Sequence, residues 1–84
     1  MGERGVIVRP SARKHGISSN DGVEAATWPL VSVPLDDDDP RRFLRLGFDT
    51  RGRLLEFVVL VWDDGTEELI HAMKCRQQYL GLLN

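Results

Sequence analysis

The feature that most limits how this chain can fold is the segment Leu54–Trp62, which is apolar at all but one of its positions. A strand that is apolar on both faces is usually central in its sheet and covered on both sides. Turn-forming residues flank the segment, with DTRG at 49–52 before it and DDG at 63–65 after it. The segment therefore predicts the middle strand of an antiparallel meander whose consecutive strands lie at 42–48, 53–62 and 67–73.

The residues before the meander predict short helices and one further strand. Residues 11–15 follow Pro10 and predict a turn or two of helix. Ser18 then predicts a helix over about 19–27, because its hydroxyl can accept a hydrogen bond from a free backbone N–H of the first turn. Residues 30–35 are bounded by prolines, which cannot donate to a sheet, and they predict an edge strand.

The end of the chain predicts one more helix and completes the fold class. Cys75, Tyr79 and Leu83 recur every four residues, which places them on one face of a helix over 74–83. Helices first, a meander next and a helix last is the order of an α+β domain. We therefore predict an α+β fold with a small antiparallel β-meander of three or four strands, short N-terminal helices and a C-terminal helix.

Length and composition are those of one small domain, 1–84, whose residues 1–10 form either a flexible segment or a short edge strand. The single cysteine, Cys75, excludes an internal disulfide and a cysteine-based zinc cluster, and it suits a reducing cytoplasm. The longest unbroken apolar run, 57–62, is far too short to span a bilayer. We expect a cytoplasmic protein with no membrane contact, no cofactor and no metal.

The net charge of −2 permits a nucleic-acid partner without indicating one. Four of the thirteen acidic residues are the aspartates at 36–39, in a predicted solvated loop. Outside that loop, eleven Lys and Arg residues stand against nine acidic ones. Such a surface can hold an RNA backbone locally, although the sequence predicts no broad basic face.

Alternation of side chains along the strands predicts which residues share a face. If the most apolar faces of neighbouring strands coincide, Arg45, Glu56 and His71 lie together on the opposite face of the sheet. A cation, a carboxylate and a base in one place suit acid–base chemistry on a phosphodiester. Ordinary cross-strand ion pairs on a solvent-exposed face explain the same three residues equally simply.

The same assignment of faces predicts the hydrophobic core. The apolar face of the middle strand is expected to pack under the helices, and the loop at 36–39 is expected to be exposed. The most buried residues should include Phe57, Val59, Ile70, Leu44, Leu46 and Val23.

Three sequence blocks in order carry a family resemblance: ARKHGIS at 12–18, RFLRLG at 42–47 and LIHAMK at 69–74. The succession resembles the BrnT-like toxins of the RelE superfamily. Those proteins begin with a KHG[VI]S helix junction, continue through an R-x-L-x-x-G strand and a Gly-rich turn, and end with an I-S-A-R-K-like strand and a terminal helix. The resemblance covers roughly residues 11–83. Two positions depart from the pattern, because Met73 stands where arginine is common and His71 replaces a serine.

The resemblance implies an antiparallel sheet with helices and a ribonuclease toxin that arrests translation until a cognate, DNA-binding antitoxin binds it. Cleavage would be metal-independent, with the 2′-hydroxyl of RNA attacking the adjacent phosphate. The expected catalytic residues are His71 or Glu56 as the proton acceptor and Arg45 as a phosphate ligand. The expected RNA-binding residues are Lys14, His15, Arg42, Lys74 and Arg76.

A second hypothesis belongs to a different class of function. The open face of the sheet, or one of its edge strands, would bind a protein partner without catalysis. The four aspartates at 36–39 fit a basic partner, such as a DNA-binding antitoxin.

Overall fold

The computed structural model describes residues 6–36, 38 and 40–83, and it has the predicted α+β class. One α-helix, α1, spans Ser19–Thr27, as predicted, and Ser18 caps it by accepting a hydrogen bond from the backbone N–H of Asp21 at 3.2 Å. Two 3-10 helices lie near the ends of the described chain. The strands are β1 (Val6–Val8), β2 (Val31–Pro34), β3 (Arg41–Phe48), β4 (Leu54–Val61) and β5 (Glu67–Lys74), and the 3-10 helices are Pro10–Arg13 and Gln77–Leu83.

The strands form one mixed sheet in the order β1-β5-β4-β3-β2. The prediction of a central strand is confirmed, since β4 lies between β3 and β5 and is antiparallel to both. The prediction of an antiparallel meander of three or four strands is wrong, because β1 adds a fifth strand that is parallel to β5. The chain leaves β1 at one edge of the sheet and passes through α1 to β2 at the other edge.

The main core lies between α1 and the side of the sheet that we call the helix face, formed on β4 by Leu55, Phe57, Val59 and Val61. Leu55, Phe57 and Val59 are fully buried there with Ala25 and Ala26 of α1. Because Ala25 and Ala26 are small, the helix can approach the strands closely. The expected packing of the Phe57 side of β4 under a helix is confirmed.

The predicted faces of β3 are wrong by one residue. Arg45, not Leu44 or Leu46, lies directly opposite Phe57 and therefore on the helix face. Leu44 and Leu46 are buried as predicted, but they lie on the other side of the sheet, which we call the open face. Gly47 shares the helix face with Arg45, and α1 passes close to it there.

A Gly47→Ala substitution tests this close approach. A Cβ at Gly47 would lie 2.7 Å from the backbone carbonyl oxygen of Ala25, a contact that requires α1 or β3 to move. We expect a loss of about 1–3 kcal/mol in the free energy of unfolding, the usual cost of overpacking a core, measured by urea denaturation. Gly81→Ala is the matched control, since nothing lies within 4 Å of the added methyl group there. Equal stability of the two variants would contradict the predicted helix–sheet contact.

A β-bulge changes the alternation in β5. His71 lies opposite Val58 and Leu69 lies opposite Val59, so Ile70 is an extra residue in the ladder. Leu69 is buried on the helix face, whereas His71 is on the open face with Val58. Ile70 is only half-buried, and so is Val23 on α1; the prediction that these two are among the most buried residues is wrong.

The C-terminal segment is a 3-10 helix rather than the predicted α-helix. None of its described residues is buried, and the leucines at 80, 82 and 83 are exposed. The predicted apolar stripe through Cys75, Tyr79 and Leu83 therefore does not form, because a 3-10 helix repeats every three residues. Among the residues that the structure describes, no helix has the length and apolar character to cross a membrane.

Candidate active site

The carboxylate of Glu56 is at the centre of the polar residues on the open face. The side chain comes from β4 and is fully buried, although it ends in a carboxylate. Its Oε1 accepts hydrogen bonds from the backbone N–H and Nε of Arg76, at 2.9 and 3.0 Å. Its Oε2 accepts from the Arg76 NH2 group at 2.7 Å and lies 3.1 Å from Nε2 of His71. The carboxylate is therefore enclosed by its partners and fixed in place.

These contacts decide the protonation state of Glu56. Burial is the largest single influence and acts to raise the pKa of the carboxyl group. The hydrogen bonds from Arg76 and His71, together with the positive charge of Arg76, outweigh burial and hold the pKa below its usual value. Glu56 is thus an anion at neutral pH, and a carboxylate anion can only accept hydrogen bonds.

The anionic Glu56 fixes the tautomer of His71. Because Glu56 must accept, Nε2 of His71 carries the proton and donates it to the carboxylate, which leaves the lone pair on Nδ1. None of the described residues forms a hydrogen bond with Nδ1, and no buried side-chain nitrogen or oxygen in that part of the chain lacks a partner. Nδ1 therefore reaches solvent, in a side chain that is 26% exposed. The arrangement is that of a base held by a buried carboxylate.

A cavity of about 330 Å³ lies in front of this histidine. Its floor is apolar and comes from β3, β4 and β5, while Arg42 and Arg76 contribute positive charge. The guanidinium of Arg76 also lies 5.3 Å from the centre of the Tyr79 ring. Described residues that line the cavity are Leu35, Arg42, Leu44, Glu56, Val58, Ile70, His71, Arg76 and Tyr79.

Arg45 does not belong to this group, and the prediction that it shares a face with Glu56 and His71 is wrong. Its guanidinium is on the helix face, where NH1 donates to a carboxylate oxygen of Glu67 at 2.8 Å and to the carbonyl oxygen of Ala26 at 3.3 Å. The carbonyl of Ala26 is near the C-terminal end of α1, where a cation is stabilising. Arg45 thus has a structural role in holding the end of the helix.

The predicted RNA-binding residues are divided between the two faces. Arg42 and Arg76 line the cavity, and His15 meets the His71 ring edge-on, with 5.6 Å between ring centres. Lys74 lies opposite Leu55 and is therefore on the helix face, so the expectation that it joins His71 around a phosphate is wrong. Lys14 is exposed, and no described contact brings it to the cavity.

The acidic loop contributes to the site in a way the sequence did not indicate. Asp36 is half-buried and accepts hydrogen bonds from the backbone N–H and Nε of Arg42, at 3.1 and 2.7 Å. The side-chain hydrogen bond from Arg42 is the largest cause of a lowered Asp36 pKa. Asp38 is exposed as predicted, and positions 37 and 39 lie outside the described residues.

Sequence reasoning missed two features of the cavity. Arg76 was expected to bind RNA, but its contacts to a buried glutamate were not foreseen, because nothing local relates positions 20 residues apart. Tyr79 was predicted to lie on the apolar face of a helix. It is instead half-buried, with its ring beside the Arg76 guanidinium. The spacing of three residues between Arg76 and Tyr79 is the one signal that could have paired them.

Comparison with known proteins identifies no relative, since no family model, curated protein or solved structure matches the chain. Within the described residues, no group of three or more His, Cys, Asp or Glu side chains is placed to hold a metal ion.

Proposed function

We propose that the chain is a metal-independent endoribonuclease and the toxin of a type II toxin–antitoxin pair in the cytoplasm. The observation that carries the proposal is the buried Glu56 carboxylate, which Nε2 of His71 and the Arg76 guanidinium both contact, so that Nδ1 of His71 is left free. A positioned base and a positioned cation are what cleavage of a phosphodiester by its own 2′-hydroxyl requires. The resemblance of three sequence blocks to BrnT-like toxins supports the toxin role.

In the proposed reaction, Nδ1 of His71 removes the proton of the RNA 2′-hydroxyl. The 2′-oxygen then bonds to the adjacent phosphorus, the bond from phosphorus to the 5′-oxygen breaks, and water protonates the departing oxygen. The products are a 2′,3′-cyclic phosphate and a 5′-hydroxyl. DNA lacks the 2′-hydroxyl and cannot react in this way.

The other residues of the cavity have supporting roles. NH1 of Arg76 is not among the atoms that donate to Glu56, so it can stabilise the charge that develops on the phosphate. Arg42, on the same cavity, provides a second cation for the RNA backbone. Glu56 is a positioning residue rather than the proton acceptor, because its oxygens are buried and already accept from Arg76 and His71.

A specific observation favours the second hypothesis, a protein-interaction module derived from the same fold. The leucines at 80, 82 and 83 are exposed in the segment that directly follows Tyr79, and Tyr79 lines a cavity with an apolar floor. Exposed apolar residues that are contiguous commonly mark a surface for a protein partner. The same surface is also available to the antitoxin that the first hypothesis requires.

Induced expression in a bacterial host separates the two hypotheses. We expect the wild-type chain to arrest growth, and a His71→Gln variant expressed to the same soluble level to leave growth unaffected, because the base is lost. The amide nitrogen of glutamine can reach the position of Nε2 and donate to Glu56, so the fold should be retained. Relief of arrest by the product of a neighbouring gene would support an antitoxin partner. Normal growth at high soluble expression of the wild-type chain would contradict the toxin proposal and favour the interaction module.

A further inference from the structure

We propose that His15 and His71 together bind one divalent transition metal ion of the zinc, nickel and copper class. The two histidines come from distant parts of the sequence and meet at the edge of the open face. Their ring centres are 5.6 Å apart and their planes are inclined by 76°. The site stands on this geometry and does not depend on the ribonuclease proposal.

The spacing of the rings fits two imidazoles that share an ion. A zinc–nitrogen bond is about 2.0–2.1 Å, so two imidazoles on a tetrahedral ion have ring centres roughly 5 Å apart. The separation of 5.6 Å is close to that value. The rings meet edge-on, so one nitrogen of His15 has to turn toward the ion, and His15 is exposed and has room to turn.

His71 already has the second partner that histidine ligands usually have. A histidine that binds a metal through one ring nitrogen generally donates its other N–H to a carboxylate or carbonyl, which fixes the ring. Nε2 of His71 donates to Glu56 at 3.1 Å, and Nδ1 remains accessible. Glu56 is itself held by Arg76. The His71 half of the site is therefore fixed in position before any ion binds.

The donor set determines which ions can bind. Imidazole nitrogen suits zinc, nickel and copper, whereas magnesium and calcium prefer oxygen. Only two protein ligands are available, so water would complete the coordination and binding should be weaker than at a structural zinc site. An ion at this position would occupy Nδ1 of His71, the ring nitrogen that Glu56 does not hold.

Isothermal titration calorimetry of the untagged protein with zinc chloride tests the site. We expect one zinc ion per chain, and at least tenfold weaker binding in His15→Asn and in His71→Asn, because each variant loses one of two ligands. Magnesium chloride should give no binding. A Cys75→Ala variant is the matched control. It removes the single thiol of the chain, which is a different zinc-binding group, and it should leave zinc binding unchanged.

Three results would overturn the proposal: no zinc binding by the wild-type protein, unchanged affinity in His15→Asn, or loss of binding in Cys75→Ala. His15 is exposed, so its variant should fold, and circular dichroism verifies this. The measurement uses no RNA, so its failure is distinct from a failure of the ribonuclease proposal.

Discussion

We expect a His71→Gln variant to cleave RNA about 10²–10⁴-fold more slowly than the wild-type protein, the usual effect of removing a positioned base. The loss should be in the chemical step, because the glutamine amide can still donate to Glu56 from the position of Nε2 but has no lone pair with comparable basicity. Single-turnover cleavage of a short RNA, with the enzyme in excess, measures that step directly.

Met73→Leu is the matched control for this experiment. Met73 lies opposite Glu56 and so is on the open face of β5, as His71 is, and leucine nearly conserves its volume. This variant should cleave at the wild-type rate. If His71→Gln keeps the wild-type rate while remaining folded, His71 is not the base and the catalytic proposal is wrong.

We expect an Arg76→Ala variant to be strongly destabilised at neutral pH. The substitution removes three hydrogen bonds from the guanidinium to the Glu56 carboxylate and leaves only the backbone N–H and His71 beside it. A Glu56 carboxylate left buried without its cation is expected to cost about 3 kcal/mol, the lower end of the range for a broken buried ion pair. Urea denaturation measures the change in the free energy of unfolding.

The pH dependence identifies the cause of that loss. In the wild-type protein the pKa of Glu56 is lowered, so its contribution is fully present above the pKa of an unfolded glutamate, about 4.3, and is lost as the pH falls through the folded pKa. In the variant, burial without the cation raises that pKa, so the ionised form opposes folding at neutral pH. The difference between the two proteins should therefore be largest near pH 7. It should shrink as the pH falls through the raised pKa of the variant and then through the lowered pKa of the wild type.

Two further variants complete the test. A double variant, Glu56→Gln with Arg76→Ala, removes the buried charge, so it should be more stable than Arg76→Ala alone at pH 7. Arg41→Ala is the matched control, because Arg41 is an exposed arginine on β3 and should change stability little. A loss of stability in Arg76→Ala that is the same at pH 4 and pH 7 would show that the Glu56 charge is not responsible.

Local sequence signals predicted the elements well. Ser18 and the residues after it fixed the bounds of α1, and the apolar segment with its two flanking turns identified β4 as the central strand. These signals act over a few residues, so they can be read without knowing the rest of the fold. The contact between Glu56 and His71 was also predicted correctly as a shared face.

Long-range contacts explain what could not be predicted. Arg45 is on the helix face because α1 ends above β3 and offers a carbonyl oxygen there, which alternation along one strand cannot indicate. Ile70 was wrongly expected in the core because β5 has a bulge there, and a shift of one residue moves a side chain to the other face. Lys74 is three residues from His71, so alternation alone places it on the other face. Three residues of β1 carry too little pattern to predict a parallel partner.

The bulge in β5 also bears on how far this sequence can vary in length. Ile70 is the residue that the ladder leaves out, so a chain without it would pair Leu69 with Val59 and His71 with Val58 in unbroken alternation. The histidine would still be on the open face and Leu69 would still be under α1. A deletion within β4, where the ladder to β3 is continuous, would instead turn half of that strand's side chains to the wrong side. We therefore expect the site to survive a single-residue deletion in β5 and not one in the central strand.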